Sequence, residues 1–323
     1  MQEIIEKINE LFENGTVNRV LAWKAGEFDY ERTPAVFTKD AGLDGFSYDS
    51  FCAANLAKYL ILETKKEGKI AILAKPCDTY NLNLLIKEHR IDREKVFILA
   101  VPCRCKIDVE KLRAKGIKGI KSIKEEGDTL IVETIYGEKT CPRQEAIQDK
   151  CLACQGRTHV VFDEKIESTE PANVEKIDRM AGVEELEAMS PQERFEFWRS
   201  QLSKCIRCNA CRNVCPACTC TTCVFDNPAS GVSSKANTDT FEENMFHIIR
   251  AFHVAGRCTD CGECSRVCPQ HIPLHLLNRK FIKEINELYG TYQSGEDAES
   301  RGPLTNFTKE DAEPSIVYTK GRA

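Results

Sequence analysis

Two cysteine runs of identical spacing constrain this chain more than any other feature of its sequence. The first run reads CIRCNACRNVCP and the second reads CTDCGECSRVCP. Each has two, two and three residues between successive cysteines and ends in proline. The cysteines are Cys205, Cys208, Cys211 and Cys215 in the first run, and Cys258, Cys261, Cys264 and Cys268 in the second. Among 323 residues there are 18 cysteines, and such regular spacing indicates metal ligation rather than scattered thiols.

This spacing is the signature of bacterial ferredoxins, in which three thiolates hold one 4Fe–4S cubane and the fourth holds a neighbouring cubane. The short spacing wraps one turn of backbone around a cubane, and the proline ends that turn. We therefore predict two crossed quartets. One consists of Cys205, Cys208, Cys211 and Cys268, and the other of Cys215, Cys258, Cys261 and Cys264. Because all eight ligands are thiolates, the clusters are expected to relay electrons rather than act as Lewis acids.

Two other uses of cysteine fit less well. Zinc sites usually come as two separated pairs with two residues between the cysteines of each pair. Disulfide frameworks suit small secreted domains, and the N-terminal sequence MQEIIEKINELFENG lacks the apolar core of a signal peptide. A net charge of −5 argues against nucleic acid as the main partner. No segment approaches the roughly 18 apolar residues of a membrane span, so we expect a cytoplasmic protein.

The N-terminal half has the pattern of an α/β domain. Apolar, β-branched segments at 69–74 and 95–101 predict strands, and residues 80–89 between them predict a helix. A unit of this kind places its strands parallel, with a right-handed crossover. We also predict a helix over 51–64 and a more exposed strand over 129–136.

Residues 163–189 become acidic and lose strand character, so we place a domain boundary there. A helix should follow, with Ser190 as N-cap, Pro191 in the first turn and Glu193 completing a capping box. Phe195, Trp198 and Leu202 lie on one face of that helix and are expected to pack in the core.

The second half is predicted to be mainly α-helical. A helical segment, 240–255, separates the two cysteine runs, which favours an α-helical dicluster ferredoxin over the strand pairs of compact bacterial ferredoxins. The predicted organisation is therefore an α/β domain (1–165), an acidic helical linker (166–200), a dicluster ferredoxin domain (201–288) and a polar tail (289–323).

The remaining cysteines leave alternatives open. Cys77 and Cys103 each follow a predicted parallel strand, at the sheet edge where α/β proteins bind ligands. A third cluster would be held by Cys77, Cys103, Cys151 and Cys154, with Cys105 and Cys141 as substitutes. Ordinary buried thiols are the alternative, and Cys52 is predicted to be a buried helix residue. Cys218, Cys220 and Cys223 either complete a further cluster or are packing thiols. His247 and His253 are expected to be surface or core residues.

Neither a G-x-G-x-x-G nor a G-x-x-x-x-G-K-[ST] motif occurs, so a dinucleotide site is not indicated by sequence. The chain nevertheless resembles the beta subunits of deazaflavin-coenzyme-reducing hydrogenases and related formate dehydrogenases. The segments that carry the resemblance are KPCD, NLLIK, VFILAVPC and KCLAC in the first half, and WRSQLSKCIRC to HVAGRCTDCGEC in the second. The ferredoxin portion follows the α/β portion here, whereas in that family it often precedes it or lies within it.

The resemblance implies an α/β domain that binds FAD beside an iron–sulfur chain. The leading hypothesis is an electron-transfer subunit of a cytoplasmic hydrogenase, formate dehydrogenase or heterodisulfide-reductase-like complex, with other redox subunits as partners. In that case the α/β domain holds a third cluster, a flavin, or both. A second hypothesis is a flavin-dependent enzyme that itself reduces or oxidises a deazaflavin or nicotinamide coenzyme. A third is a non-catalytic docking scaffold.

Overall fold

The computed structural model describes residues 1–154, 158–167, 174–230, 240–306 and 308. Within these ranges the chain forms two β-sheets and a set of mostly short helices. The strands are β1 (Arg19–Ala25), β2 (Arg32–Thr38), β3 (Phe46–Ser47), β4 (Ile70–Ala74), β5 (Val96–Ala100), β6 (Ile120–Glu126), β7 (Thr129–Thr134), β8 (Gly137–Pro142) and β9 (Glu164–Lys165). The helices are α1 (Gln2–Glu13), α2 (Leu60–Glu63), α3 (Pro76–Lys87), α4 (Val109–Ala114), α5 (Asp149–Leu152), α6 (Ala181–Ala188), α7 (Pro191–Leu202), α8 (Ala210–Val214), α9 (Thr240–His253), α10 (Glu263–Arg266) and α11 (Leu274–Tyr289).

The larger sheet has the strand order β2–β1–β4–β5–β9, with β3 also pairing with β1. Strands β1, β4, β5 and β9 are parallel, while β2 and β3 run antiparallel to β1. All five residues of β4 are buried, as expected of a central parallel strand covered on both faces. The predicted strand–helix–strand unit is therefore confirmed.

The crossover helix α3 begins four residues earlier than predicted. Pro76 occupies its first position, where the missing N–H costs nothing. The Asp78 carboxylate accepts a hydrogen bond from the Lys75 backbone N–H at 3.1 Å. These two contributions fix the start of the helix directly after β4, so that Cys77 lies in its first turn.

The helix predicted over 51–64 is wrong for most of its length. Only residues 57–59, as a 3₁₀ turn, and α2 are helical. The Asp49 carboxylate accepts from the Phe51 backbone N–H at 2.9 Å, and the Asn55 amide oxygen accepts from that of Ala57 at 3.0 Å. Side chains that bind backbone N–H groups in this way compete with helix formation. Cys52 is buried, as expected, but lies in a turn rather than in a helix.

The smaller sheet is an antiparallel meander of β6, β7 and β8. Strand β7 alternates between buried and exposed residues, which confirms a half-exposed strand within 129–136. Strand β9 corrects the expectation that strand character ends by residue 163, because Leu99 and Ala100 of β5 pair with Glu164 and Lys165.

The helical half begins with the predicted capping box. Ser190 Oγ accepts from the Glu193 backbone N–H at 3.3 Å, and the Glu193 carboxylate accepts from the Ser190 backbone N–H at 2.8 Å. Leu202 is buried and Trp198 is half-buried, but Phe195 is 56% exposed. Phe195 is not a core residue because the groove between α7 and α9 stays open at that end, where Ile248 is also exposed.

Two further segments attach to this helical half. Glu187 of α6, in the predicted linker, forms ion pairs with Lys280 and Lys283 of α11. After α11, the first residues of the predicted tail return to α3, where Asn83 Nδ2 donates to the Gly295 carbonyl at 3.1 Å. The rest of that tail, residue 307 and residues 309–323, lies outside the described residues. In the part of the chain that the structure describes, no helix is long and apolar enough to cross a membrane.

Candidate iron–sulfur site

The two cysteine runs fold into the same backbone turn. In each run, the residues two and four positions after the first cysteine have positive φ. These are Arg207 and Asn209 (φ 55° and 62°) and Asp260 and Gly262 (φ 56° and 69°). A left-handed conformation costs an ordinary residue roughly 1–2 kcal/mol, so its recurrence at equivalent positions indicates a shape that the turn must adopt.

The turns also share a hydrogen bond to sulfur and a following helix. The Arg207 backbone N–H donates to Cys205 Sγ, and the Asp260 backbone N–H donates to Cys258 Sγ, both at 3.4 Å. The short helices α8 and α10 follow their turns at the same offset and contact each other. The sequence repeat is therefore a structural repeat.

The last cysteine of the first run lies among the first three of the second run. Burial raises the pKa of Cys258 well above its ordinary value, and Cys215 adds to the rise. Burial raises the pKa of Cys261 to about 12, and Cys215 is again one of the contributors. Burial likewise raises the pKa of Cys264, with a contribution from Cys215.

The reciprocal arrangement holds at the first run. Burial raises the pKa of Cys205, and Cys268 contributes to the rise. Burial raises the pKa of Cys211 to about 12, with contributions from Cys264, Cys205 and Cys268. The structure thus brings together members of each predicted quartet. The individual ligand assignments stay a prediction.

The donor chemistry of these residues fits thiolate-bound clusters. All of the cysteines are free thiols. Thiols whose pKa is raised by burial stay protonated until a metal displaces the proton, which couples metal binding to proton release. Within the described ranges, no three His, Cys, Asp or Glu side chains converge on a point that one metal ion would occupy. A cubane instead takes its four thiolates on four separate irons.

Four of the N-terminal cysteines, Cys77, Cys103, Cys105 and Cys151, lie near one another at the carboxyl edge of the large sheet. Cys77 follows β4 and Cys103 follows β5. Burial raises the pKa of Cys77 well above its ordinary value, and Cys103 is among the contributors. The Cys105 thiol lies 4.0 Å from the Cys151 carbonyl. A hydrogen bond from Cys151, and then the nearby Lys176, lower the pKa of Cys105 to about 7.

The structure therefore places Cys105, predicted only as a substitute, directly beside Cys151. Cys154 is half-buried three residues further along, next to residues 155–157, which lie outside the described residues. Cys141 is buried within β8, with Glu145 and Lys115 as its charged neighbours. The proposed ligand set of a third cluster stays untested.

The other singled-out residues occupy varied positions. Cys218 lies beside Cys215, and the hydrogen bond from Cys215 lowers the pKa of Cys218 to about 7. Cys220 is exposed, and Cys223 packs half-buried near Leu202 and Phe225. The histidines occupy the expected surface and core positions. His247 is 1% exposed, while His253 is exposed.

The chain was compared with known proteins. A family model described as a 4Fe-4S dicluster domain matches residues 201–272. The F420-dependent formate dehydrogenase subunit beta of Methanocaldococcus jannaschii is 25% identical, with 93% of this chain and 92% of that protein aligned. The F420-dependent formate dehydrogenase 1 subunit beta of Methanococcus maripaludis is also 25% identical, at 90% and 89% coverage. The resemblance to the beta subunits is confirmed.

The matches among solved structures include one from a hydrogenase complex. It is a chain of the xenon-derivatised F420-reducing [NiFe] hydrogenase complex of Methanosarcina barkeri, with a TM-score of 0.39 and 14% identity, covering 53% of this chain and 69% of that chain. The family-model match to residues 201–272 supports iron–sulfur clusters in this part of the chain. The family model and the aligned beta subunit together confirm the predicted function as an iron–sulfur electron-transfer protein.

A buried ion pair joins the dicluster domain to the N-terminal half. Glu263, between Cys261 and Cys264, is fully buried and forms ion pairs with Lys150 and with Arg266, the latter at 2.8 Å. Its carboxylate also accepts from the Asn55 backbone N–H at 3.2 Å. Glu263 was not predictable from sequence, because a lone glutamate between two cysteines carries no signal of its distant partner.

A cavity of about 610 Å³ lies where the two halves meet. Its walls include Arg32 and Lys150 from the first half and Arg266 and Arg279 from the second. Gly262 and Ser265, which flank cysteines of the second run, also line it. Four carboxylates, those of Glu31, Asp108, Glu110 and Asp149, line it as well, so the cavity carries charges of both signs beside the second cysteine run.

Proposed function

We propose that this chain is the iron–sulfur electron-transfer subunit of a cytoplasmic, multi-subunit oxidoreductase of the hydrogenase, formate dehydrogenase or heterodisulfide-reductase-like kind. The observation that carries this proposal is the exchange of the last cysteines, Cys215 into the second run and Cys268 into the first. Clusters held by such crossed quartets supply one-electron transfer between neighbouring sites. The protein sets their spacing, burial and hydrogen bonding, which together tune their potentials.

The arrangement of the chain supports an order of the clusters along this path. Cys208 of the first run is exposed, so its quartet is the one that a redox partner can approach most closely. The second run instead faces the N-terminal half through Glu263 and Lys150. Electrons would accordingly pass between the α/β half and a partner subunit through the second and then the first quartet, or in reverse.

The α/β half is proposed to hold a third cluster on Cys77, Cys103, Cys151 and Cys154, with Cys105 as the substitute that the geometry favours. Lys150 supports this position, because both Cys151 and Cys77 contribute to its raised pKa. The same lysine pairs with Glu263 between two cysteines of the second run. A third cluster would thus lie one side chain away from the second quartet.

A second candidate function is a flavin-dependent enzyme that exchanges electrons with a deazaflavin or nicotinamide coenzyme. The cavity beside the second run favours it, because the arginine and lysine side chains in its mixed-charge walls suit the pyrophosphate of FAD. The names of the two aligned relatives describe F420-dependent enzymes. In this reading, FAD would convert two-electron coenzyme chemistry into the one-electron steps of the clusters.

Anaerobic purification with iron, sulfide and flavin quantitation tests these proposals. Two clusters correspond to about eight iron atoms per chain and three clusters to about twelve. Bound FAD together with flavin-dependent coenzyme turnover supports the enzyme. Eight irons without flavin support a relay, provided that the clusters accept and donate electrons, and inert clusters support the scaffold. A colourless protein that contains zinc contradicts all three.

A matched pair of variants excludes adventitious iron. Cys208 and Cys220 are both exposed, but only Cys208 belongs to a predicted quartet. Cys208→Ser should alter or remove one cluster, whereas Cys220→Ser should keep the wild-type iron content and spectrum. Equal iron loss in both variants would contradict the ligand assignment.

A further inference from the structure

Arg250, on α9 between the two cysteine runs, is a buried cation that lacks a hydrogen-bond partner in the part of the chain that the structure describes. The residue is 2% exposed, and its Nε, Nη1 and Nη2 atoms all lack an acceptor there. An unpaired charge in the protein interior is strongly unfavourable. Other buried arginines have a carboxylate partner, since Arg279 pairs with Asp260 and Arg143 with Glu125, each at 2.8 Å.

The surroundings of Arg250 are the sulfur atoms of the candidate ligands. Burial alone lowers the pKa of Arg250, whereas thiolates at the nearby cysteines would raise it above its usual value, in the order Cys264, Cys211, Cys215 and Cys218. Cys211 belongs to one predicted quartet, and Cys215 and Cys264 belong to the other. The guanidinium therefore lies between the two predicted cluster positions.

Protonated thiols cannot balance this charge. A thiol carries no net charge, whereas a cubane held by four thiolates is anionic and its sulfurs accept hydrogen bonds. The guanidinium has five N–H donors in a rigid planar fork, which suits two acceptors on different sides. Clusters in both quartets would supply the negative charge and the hydrogen-bond acceptors that Arg250 lacks among the described residues.

The buried histidine on the same helix does not offset the charge. His247, one turn before Arg250, is fully buried, and both of its ring nitrogens lack a partner among the described residues. Burial and the two nearby arginines, Arg250 first, lower the pKa of His247 to about 3. The histidine is therefore neutral and adds no negative charge.

We propose that Arg250 donates N–H groups to both clusters and raises the midpoint potential of each one. Reduction adds one electron to a cluster and so increases its negative charge, which a fixed adjacent cation stabilises. The same cation offsets repulsion between the two reduced clusters. This inference rests on the two clusters of the proposed function.

The test is an anaerobic redox titration of the full-length protein, followed by EPR, on Arg250→Gln and Arg250→Lys. Arg250→Gln removes the charge, and we expect the equilibrium constant for reduction of each cluster to fall at least tenfold, which equals 59 mV for a one-electron couple. Arg250→Lys retains the charge and should shift less. Arg199→Gln is the control, because it removes the same charge from an exposed position on α7.

The proposal would be overturned if Arg250→Gln keeps its iron and the equilibrium constant for reduction of each cluster stays within twofold of the wild-type value. If that variant does not assemble clusters, the wild-type protein labelled with ¹⁵N in arginine carries the test. Pulsed EPR of the reduced, labelled protein should show weak nitrogen coupling that Arg250→Lys removes. Absence of that coupling in a cluster-loaded wild type overturns the inference alone, whereas a wild type without clusters overturns the proposed function as well.

Discussion

Cys215 and Cys268 each lie among the cysteines of the run to which they do not belong in sequence. The spacing of the runs predicts this exchange, because a proline directly after the last cysteine prevents that residue from completing its own turn. The positive φ angles of Arg207 and Asp260 were not predictable in the same way. Neither arginine nor aspartate predicts a left-handed conformation from sequence. Arg250 is likewise indistinguishable in sequence from an exposed charge on an amphipathic helix.

The exchange predicts which cluster each cysteine affects. Cys215→Ser should alter the same EPR signal as Cys261→Ser, and Cys268→Ser should alter the same signal as Cys208→Ser. The reason is that a serine weakens only the cluster on which it is a ligand. Reduced samples of the four variants, compared by EPR, provide the measurement. If Cys215→Ser and Cys208→Ser alter one common signal, the quartets are not crossed.

At the scale of elements, local rules predicted strands β4, β5 and β7 and the start of α7, but placed the start of α3 four residues too late. The capping box at the start of α7 depends only on residues within one turn, and the buried strand β4 depends only on its own apolar run. The segment over 51–64 failed because Asp49 and Asn55 bind backbone N–H groups that a helix would have used. The periodicity of apolar residues does not show that side chains compete for the backbone N–H groups of a helix.

The capping box provides a prediction at this scale. Ser190→Ala should lower the free energy of unfolding by about 1 kcal/mol, because the Glu193 backbone N–H loses its acceptor. Anaerobic urea unfolding of the two proteins measures the difference. Ser200→Ala, later on the same helix, is the control and should change stability less. A larger loss at Ser200 would show that the cap does not limit the stability of α7.

The return of the C-terminal segment to α3 depends on Gly295. Its φ is 80°, and an added Cβ would lie 2.0 Å from the Tyr80 carbonyl oxygen. We expect Gly295→Ala to cost at least about 1–3 kcal/mol and to speed amide hydrogen exchange around residues 292–297. Gly290→Ala is the matched control, because Gly290 also has a positive φ, 89°, but an added Cβ would meet nothing within 4 Å. Equal effects of both variants would show that backbone strain, rather than contact with α3, dominates.

At the scale of the whole molecule, the order of an α/β half and a helical cluster-binding half followed from the sequence. The contacts that join the halves did not. Lys150 and Glu263 are separated by 113 residues, and Asn83 and Gly295 by 212. Local patterns carry no information about pairs so distant in the chain. In the sequence, each of these residues is also of a type that is common at protein surfaces.

The pair that joins the halves predicts a dependence of stability on pH. Burial would raise the pKa of Glu263, but Lys150 and Arg266 hold it well below the usual range. The stabilisation that the ionised carboxylate provides is therefore complete above the unfolded-state pKa of about 4.3 and declines as the pH falls below it. Glu263→Gln should cost about 3–5 kcal/mol at pH 7, and the difference from wild type should narrow below about pH 4.

Urea unfolding at a series of pH values measures this difference. Asp149→Asn is the control, since Asp149 pairs with Lys111 in the same region but is 73% exposed, and exposed pairs contribute about 0–1 kcal/mol. A difference between wild type and Glu263→Gln that does not depend on pH would contradict the assigned role of the carboxylate charge.

The glycine of the second turn makes the two cysteine runs unequal. An added Cβ at Gly262 would lie 2.5 Å from Lys150 Cβ, whereas the equivalent position in the first turn is Asn209. Exchanging the two runs along the chain would therefore put an asparagine side chain where there is no room for a methyl group. The repeat is symmetric in the backbone of its cysteine turns but not in how these turns pack, so only the second run fits against Lys150 of the N-terminal half.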